Sequence, residues 1–401
     1  MKVKAKKLFK EPIVWIAGVL LFCTTAYSIL PMPFVRFALT ISIALKNLLL
    51  FFIPFLIFSG TATAFSSLKD NGLPFVLTLM GIIVFSNFLN LMFSGWVGCC
   101  LIPWTAAAGQ IIPIVDPEQM VTPIFYLKLP SLLSNTWALV GGISIGICST
   151  LFHWSKTQSC VRALHRTIMQ LMLKGFIPTL PLFLMGFVLK LLMEGQLTYF
   201  VQTNAKSCLL MVSFLFFYLC IWFILAQRCS KLPPLTLFKN IFPAVMTGAT
   251  TMSSAAALPF SIEAATKNTK DPTLANAVMP ISLNFHMVGD TICIPVLAII
   301  ILNSFSCPMP NVLTFIGFGC CFVLNKFAGA GIPGGSIMIS LPILQTYLGF
   351  NEEMLALITA CYMLIDPLTT SGNVTANNLL IIFIKKFWTR ITKIKPQREK
   401  Y

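Results

Sequence analysis

Charged residues are scarce in this chain. Of its 401 residues, only 28 are lysine or arginine and 12 are aspartate or glutamate, whereas 57% are hydrophobic. A soluble globule of this length needs far more polar side chain than that to cover its surface. The scarcity excludes an ordinary soluble protein and indicates that lipid surrounds much of the chain.

Long uncharged runs are present instead. Residues 12–30 and 207–226 contain no charged side chain, and each run, as a helix, would cross about 30 Å of hydrocarbon. Because no small-residue cleavage site follows the lysine-rich start, we expect a retained signal anchor. Six spans are predicted in the first half of the chain, at about 12–34, 37–66, 73–103, 129–154, 167–193 and 207–226.

The basic residues are concentrated in alternate connections and at both ends. Five lysines lie in the first ten residues, and residues 385–400 are again rich in lysine and arginine. Cytoplasmic loops carry such an excess, so we expect an inner or plasma membrane location, both termini in the cytoplasm and an even number of crossings, for which eight fits best. The net charge of +16 forms no basic face with interleaved aromatics, so no nucleic-acid partner is expected.

Motifs for phosphate, dinucleotide or metal binding are absent. The thirteen cysteines show no paired spacing of the kind that metal ligands have, and no nucleophile and base are placed together. We therefore expect no enzyme, no cofactor and no metal site that can be assigned. A membrane enzyme is the least favoured alternative.

Two segments of small residues interrupt the second half of the chain. Residues 248–259 read Gly-Ala-Thr-Thr-Met-Ser-Ser-Ala-Ala-Ala-Leu-Pro, and residues 328–336 read Ala-Gly-Ala-Gly-Ile-Pro-Gly-Gly-Ser. Broken backbone cannot face lipid, because lipid leaves its polar groups unsatisfied. Two such hairpins, each followed by a helix, are typical of an inverted repeat with a binding site near the bilayer midplane and alternating access. Ordinary packing of small-residue helices is the alternative.

A polar stripe is predicted near the end of the chain. Asp366, Thr369, Thr370, Asn373 and Asn377 follow a spacing of 0, 3, 4, 7 and 11, which a helix places on one face. Hydrogen-bonded packing would be adequate for the threonines and asparagines. An intramembrane carboxylate, however, is costly unless it meets a cation or water. Asp366 is therefore a candidate functional residue.

Together these segments resemble the dicarboxylate/amino acid:cation symporter family, which includes glutamate transporters and neutral amino acid exchangers. Residues 54–58 resemble the family's second helix, 253–259 its serine-rich first hairpin and 330–334 the tip of its second hairpin. Residues 373–375, with Asp366 seven residues earlier, resemble its last helix. The resemblance covers nearly the whole chain. It implies an all-α membrane protein of eight transmembrane helices and two re-entrant hairpins, with inverted repeats, a homotrimeric assembly and an elevator mechanism.

The resemblance also implies a division of the chain. Residues 1–239 would form mainly scaffold and trimerisation helices 1–6, with helices 3 and 6 contributing to the transport domain. Residues 240–386 would form the transport core of hairpin 1, helix 7, hairpin 2 and helix 8, and residues 387–401 a basic cytoplasmic tail. The implied function is secondary active symport of a small molecule, either an amino acid or a dicarboxylate.

The family pattern implies where such a substrate would bind. Asp366 would hold the amino group, and Asn373 would hold the carboxylate together with backbone amides at the two hairpin tips. Acidic-substrate members carry an arginine where this chain has Thr369, so small neutral amino acids such as serine, threonine or alanine are expected. The expected substrate-binding residues are Ser253, Ser254, Gly331, Ile332, Asp366, Thr369, Thr370 and Asn373.

The cation sites depart from the family pattern. Sodium-using members have Asn-Met-Asp-Gly-Thr in the seventh helix, where residues 286–290 read His-Met-Val-Gly-Asp, and the third-helix threonine and serine positions appear as Ile82 and Ile83. Sodium needs a cage of oxygen ligands, which is thinned here, so altered coupling to Na⁺ or H⁺ is expected. The residues expected to act in cation coupling are His286, Met287, Asp290, Lys326 and Asn377.

Several of these expectations have alternatives. His286 and Asp290, four residues apart, would form either a titrating pair or a static ion pair. Lys326, at the start of the second hairpin, would either replace a bound cation or snorkel towards the outer surface, and snorkelling is favoured. Met287 and Gly289 keep their family positions, so the unwound centre of the seventh helix is expected to survive. Uncoupled exchange or an anion leak on the same fold is the alternative function.

Overall fold

The computed structural model describes residues 12–66, 73–105, 120–127, 129–130, 132–327 and 334–394. These residues form helices and connecting segments, and the described part of the chain contains no strand. The predicted all-α class is therefore confirmed.

Seven helices and one short π-helical segment, Met172–Phe176, make up the described first half. The helices are α1 (Pro12–Ala26), α2 (Met32–Ser66), α3 (Leu73–Thr105), α4 (Asn135–Leu151), α5 (Ser155–Leu171), α6 (Ile177–Met193) and α7 (Gln196–Ser230). The second half is made of α8 (Pro234–Thr251), α9 (Leu258–Thr269), α10 (Pro272–Phe285), α11 (Val288–Ser304), α12 (Val312–Asn325), α13 (Gly335–Leu348) and α14 (Glu352–Ile394).

The chain has the helices of an integral membrane protein. If α5 and α6, which are bent by 57° relative to each other, are counted as one span, the described residues contain up to six spans. Large apolar side chains such as Leu209 and Phe217 of α7 are exposed, which suits a helix whose solvent is lipid. Five described stretches are long and apolar enough to cross a membrane, namely Met32–Thr63, Leu77–Cys100, Gln196–Ser230, Pro272–Ser304 and Glu352–Phe387.

Several predicted span boundaries were wrong. The predicted span 12–34 ends already at Ala26, because Pro31 and Pro33 fit the turn and the start of α2 better than the interior of a helix. The span predicted at 129–154 begins at Asn135, where the Ser134 hydroxyl caps α4 by accepting the Trp137 amide at 3.3 Å.

Two pairs of short helices occupy the segments that were predicted to be hairpins. Helices α8 and α9 pack together across a turn at 252–257, and α12 and α13 pack together across 326–334, of which 328–333 lie outside the described residues. Each pair is followed by a longer helical element, α10–α11 in the first case and α14 in the second. The predicted repetition of two interrupted segments, each followed by a helix, is therefore present.

Helix α14 lies at the centre of the second half. It packs against α7, α8, α9, α10, α11 and α13. Leu364 and Leu368 remain exposed on one apolar face, whereas the polar stripe is buried against these helices and enclosed by protein.

Candidate functional site

The path from α10 to α11 is broken at two residues. Helix α10 ends at Phe285 and α11 begins at Val288, so that His286 and Met287 lie outside helical conformation. Asn87 of α3 bridges the break: its Nδ2 donates to the Phe285 carbonyl at 2.6 Å, and its Oδ1 accepts the Met287 amide at 3.1 Å. The backbone groups released by the break therefore have partners. The predicted unwound centre is confirmed.

His286 is held by two polar side chains in the interior. Its Nδ1 lies 3.2 Å from Oδ1 of Asn377, and its Nε2 lies 3.0 Å from the Ser86 hydroxyl. The Asn377 amide donates to the carbonyls of His286 and Asn373, at 2.9 and 2.7 Å, so its Oδ1 is the acceptor for the ring. The neutral imidazole therefore carries its proton on Nδ1 and accepts the Ser86 hydroxyl on Nε2.

The predicted third-helix positions, Ile82 and Ile83, lie one turn away from the break. Ile83 is fully buried in an apolar cluster with Leu79 and Leu283, and Ile82 packs against the same cluster. The α3 side chains that reach the break are those four residues later, Ser86 and Asn87.

Asp290, in the first turn of α11, meets side chains from three other segments. Its Oδ2 accepts the Ser336 hydroxyl at 2.5 Å and lies 4.0 Å from the Lys326 ammonium, and its Oδ1 accepts the Tyr362 hydroxyl at 2.7 Å. Both Asp290 and Lys326 are only 1% exposed. The two charges form a buried pair, and the Asp290 carboxylate is further stabilised by two hydroxyl donors.

Two predictions about these charges were wrong. His286 does not pair with Asp290, because the non-helical backbone between them removes the one-turn spacing on which a contact depended. Lys326 neither begins the second hairpin nor snorkels. It is the C-cap of α12, the first helix of the α12–α13 pair. Its ammonium donates to the Ser336 carbonyl at 3.2 Å and lies 4.3 Å from the centre of the Phe322 ring. The cation is held inside the protein.

Asp366 lies in the middle of α14 and is 2% exposed. Its Oδ1 accepts the Thr370 hydroxyl at 2.9 Å, and its Oδ2 accepts the Gly334 amide at 2.9 Å. Gly334 is the N-cap of α13, with φ at +66°, so its amide belongs to the donors that a helix N-terminus leaves unpaired. Within the described part of the chain, no cationic side chain lies within 4.0 Å of this carboxylate.

Tyr362 joins the two carboxylates and was missed by the sequence analysis. Its hydroxyl lies 2.7 Å from Asp290 Oδ1 and 3.3 Å from both Asp366 Oδ1 and Thr369 Oγ. A hydroxyl has one proton to donate, and the shortest contact assigns it to Asp290. The position of Tyr362, one turn before Asp366, extends the stripe and was the available signal. Ser336, Ser86 and Asn87 were missed as well, and nothing in the sequence around them indicates which residues they contact.

The five stripe residues share one buried face of α14, as predicted. Thr369 and Asn377 are fully buried, and none of the five is more than 4% exposed. Asn373 accepts the Gly289 amide on Oδ1 at 2.7 Å. A Cβ at Gly289 would overlap the Thr369 carbonyl oxygen, so the close approach of α11 to α14 depends on this glycine.

Replacing Gly289 with alanine is expected to push α11 away from α14. The overlap with the Thr369 backbone costs about 1–3 kcal/mol, as overpacking usually does, and it weakens the bond to Asn373. We expect a lower midpoint of thermal unfolding in detergent and a higher KM for the transported substrate. Gly81→Ala is the matched control, because a Cβ at Gly81 meets no atom within 4 Å. Equal behaviour of the two variants would contradict the prediction.

Two of the other predicted substrate residues lie at the first hairpin turn. Ser253 and Ser254 are in the turn between α8 and α9, where the Ala256 amide donates to the Ser253 hydroxyl at 3.3 Å and Ser254 is buried. Gly331 and Ile332 lie outside the described residues. The structure therefore brings Asp366, Thr369 and Thr370 together, sets Asn373 one turn further on and leaves the role of the hairpin tips a prediction.

The predicted cation-coupling residues fall into two groups. Met287, Asp290 and Lys326 all contact Ser336, whose hydroxyl lies 3.6 Å from the Met287 sulfur. His286 and Asn377 form the second group and contact each other one helical turn beyond Asn373. Among the described residues, no group of three or more His, Cys, Asp or Glu side chains is arranged to hold a metal ion.

Comparison with known proteins identifies relatives of this sequence. The model of the sodium:dicarboxylate symporter family matches residues 13–387. The serine/threonine transporter SstT of Acinetobacter baylyi is 24% identical over 149 residues, which are 37% of this chain and 37% of that protein. SstT of Acinetobacter baumannii is 23% identical over 141 residues, 35% of each chain. The match to these curated relatives thus spans little more than a third of their length.

Proposed function

This chain belongs to the sodium:dicarboxylate symporter family, and from that premise we propose that it is a secondary active transporter of small neutral amino acids with altered cation coupling. The family and its curated relatives are transporters, as expected for a chain that is not an enzyme. The observation that carries the proposal is the environment of Asp366, a buried carboxylate that has hydroxyl and amide donors but no cationic partner within 4.0 Å among the described residues.

Asp366 is the proposed site for the substrate's ammonium group. Lys326 already compensates the charge of Asp290, so Asp366 carries the negative charge that remains in this cluster. An ammonium group brings one positive charge and three donors, and it would replace the water that an unpaired intramembrane carboxylate otherwise needs. The ammonium group would neutralise the charge of Asp366, and the substrate's carboxylate would then need hydrogen-bond donors of its own.

Asn373 is the proposed partner of the substrate carboxylate. Because its Oδ1 accepts the Gly289 amide, its Nδ2 is oriented as a donor. The N-terminus of α13 adds backbone amide donors beside Gly334, and the second hairpin tip would add those of Gly331 and Ile332. Ser253 and Ser254 of the first hairpin would close the site from the opposite side.

Thr369 is proposed to select against acidic substrates. A second carboxylate on the substrate would require a cation, and the threonine hydroxyl, which donates to the Asp366 carbonyl at 3.1 Å, supplies none. Serine, threonine and alanine have no such requirement. The names of the SstT relatives, which are serine/threonine transporters, agree with this preference.

Replacing Thr369 with arginine is expected to shift the preference towards acidic substrates. A guanidinium at this position can form a bidentate pair with a side-chain carboxylate, so the ratio of aspartate to serine uptake should rise about tenfold or more. Thr369→Val keeps the shape of the side chain without adding charge and serves as the control. A folded arginine variant that still takes up serine and excludes aspartate would contradict the assigned selectivity.

Lys326 is proposed to stand in for one of the coupling cations. Its ammonium donates to the Ser336 carbonyl and lies 4.0 Å from Asp290, a position that is altered from the family pattern. Coupling would then use H⁺ through His286, whose Nε2 is an acceptor, or Na⁺ at a reduced number of sites. Asn377 would transmit the state of the ring to Asn373, because its amide bonds the carbonyls of both residues.

Uncoupled exchange or an anion leak on the same fold is the second candidate function. The observation that favours it is the Lys326–Asp290 pair, since a cation site filled permanently by a side chain binds no ion from solution. An exchanger of this kind would move amino acids in both directions without accumulating them against a gradient.

The assembly and topology are proposed from the family. They comprise eight transmembrane helices and two re-entrant hairpins in inverted repeats, an elevator mechanism, a homotrimer and cytoplasmic termini in an inner or plasma membrane. Residues 1–239 would form mainly the scaffold, with α3 and α7 joining the transport domain. Residues 240–386 would form the transport core, and 387–401 the basic tail.

Uptake into liposomes tests these functions together. The purified protein is reconstituted, and labelled serine and aspartate are supplied with an inward sodium gradient or, with choline in place of sodium, an inward proton gradient. Serine accumulation driven by protons supports coupling through His286. Accumulation that requires sodium and not a proton gradient overturns coupling through His286 and assigns it to the remaining sodium sites. Equilibration without accumulation identifies the exchanger, and preference for aspartate overturns the role of Thr369.

A further inference from the structure

A polar cavity lies far along α14 from Asp366, where α7 and α9 end. It has a volume of about 610 Å³, within the range of small-molecule sites. Four lysines line it: Lys231, Lys270, Lys385 and Lys386. None of the residues that line this cavity is acidic.

Stabilisation of helix C-termini is the simplest explanation for these lysines, but it accounts for only some of them. Lys385 does so, because its ammonium bonds the Thr269 carbonyl oxygen at the end of α9. The Lys386 ammonium lies 3.5 Å from the Cys229 sulfur, a weak acceptor. In the described part of the chain, neither Lys231 nor Lys270 has an acidic partner within 4.0 Å.

Asn268 supplies an independent sign of a missing ligand. It lines the same cavity and is only 7% exposed. Its Oδ1 accepts Nδ2 of Asn240 at 2.7 Å, which fixes the orientation of the amide, and its own Nδ2 has no hydrogen-bond partner. A buried donor without an acceptor is costly. The nearby carboxylate of Asp271 does not meet it, since that group caps α10 by accepting the Leu274 amide.

We propose that this cavity is a binding site for a phosphate group, held by the ammonium groups of Lys231, Lys270 and Lys386 and by the Asn268 amide. A phosphate offers several acceptor oxygens and a charge that such a lysine cluster attracts. The group can come from the headgroup of an anionic lipid or from free phosphate in solution. Binding would join the ends of α7, α9 and α14.

Calorimetric titration of the purified full-length protein in detergent tests the site and separates its sources. One arm uses a short-chain phosphatidic acid, a second uses inorganic phosphate, and a third uses short-chain phosphatidylcholine, whose choline offsets the phosphate charge. We expect phosphatidic acid to bind more tightly than phosphatidylcholine. Binding of phosphatidic acid alone assigns the site to lipid, and equal binding of inorganic phosphate assigns it to the free ion. If neither phosphatidic acid nor inorganic phosphate binds, the proposal is overturned.

Two variants connect binding to the cavity. Replacing Lys231, Lys270 and Lys386 together with glutamine should weaken binding about tenfold or more. Asn268→Asp keeps an acceptor for Asn240 but replaces the unpaired donor with an oxygen, and it should weaken binding by a similar factor.

The matched control removes the same amount of charge elsewhere. Lys156, Lys206 and Lys239 are exposed and do not line the cavity, and their joint replacement with glutamine should leave phosphate binding unchanged. Equal weakening in the control variant overturns the proposal, because it would show a general effect of net charge. Thermal unfolding of each variant without ligand distinguishes lost binding from lost folding.

Discussion

Replacing Asp366 with asparagine is expected to reduce amino acid uptake strongly. The change keeps the shape of the side chain but removes the charge that faces the ammonium group. Loss of one partner from a buried, charged hydrogen bond costs about 2–5 kcal/mol, so kcat/KM for serine should fall by roughly 30-fold to more than 1,000-fold. Uptake of labelled serine into liposomes, measured over a range of concentrations, gives this ratio.

Two comparisons make the Asp366 result specific. Thr375→Val removes a hydroxyl on the same helix that donates only to the Ser371 carbonyl one turn earlier, at 2.8 Å, and it should leave uptake within about twofold, as for most substitutions away from such features. Stabilisation by serine in a thermal unfolding assay should be lost in Asp366→Asn and kept in Thr375→Val. An asparagine variant that still transports serine would remove Asp366 from the substrate site.

Replacing Lys326 with methionine is expected to make transport depend on an added cation. The change leaves Asp290 buried without its ion-pair partner, and breaking such a pair costs about 3–5 kcal/mol. In choline buffer, uptake should fall by about tenfold or more. Sodium should restore part of this uptake and should raise the melting temperature of the variant, because a small cation can take the place that the ammonium occupied.

The double variant Lys326→Met, Asp290→Asn separates charge from shape. With both charges removed, no unpaired ion remains, so stability should recover and the response to sodium should disappear. Wild-type protein should show no stabilisation by sodium at this position. If the single variant behaves like the wild type in choline and in sodium, Lys326 has no role as an internal cation and serves packing alone.

The helix of the polar stripe could be predicted from sequence, because the information is local. The spacing of Asp366, Thr369, Thr370, Asn373 and Asn377 is a property of consecutive residues, and a helix converts it directly into one face. The absence of lipid-compatible side chains on that face then requires that it be enclosed. The break after Phe285 was predicted from family positions rather than from local pattern, since neither His286 nor Met287 is a helix breaker.

The partners across the site could not be predicted in the same way. Tyr362 and Ser336 meet Asp290 from segments 72 and 46 residues away, and no periodicity relates such distances. Lys326 was assigned to the outer surface because a lysine near a helix end usually reaches water. Its direction depends on Asp290 and Ser336 lying on the inner side of α12, which only the folded chain determines.

The bridge formed by Asn87 has a mechanical consequence. Sliding α3 past the α10–α11 junction by even one residue would leave the Phe285 carbonyl and the Met287 amide without partners. The bond from the Ser94 hydroxyl to the Thr291 carbonyl, at 2.8 Å, would break at the same time. Helix α7 is pinned to the same body, to α3 through Tyr218 and Asn90 and to α11 through hydrogen bonds of Asn204 and Ser304. Because these bonds tie α3, α7 and α11 together, we expect a displacement of one of the three helices to carry the other two with it.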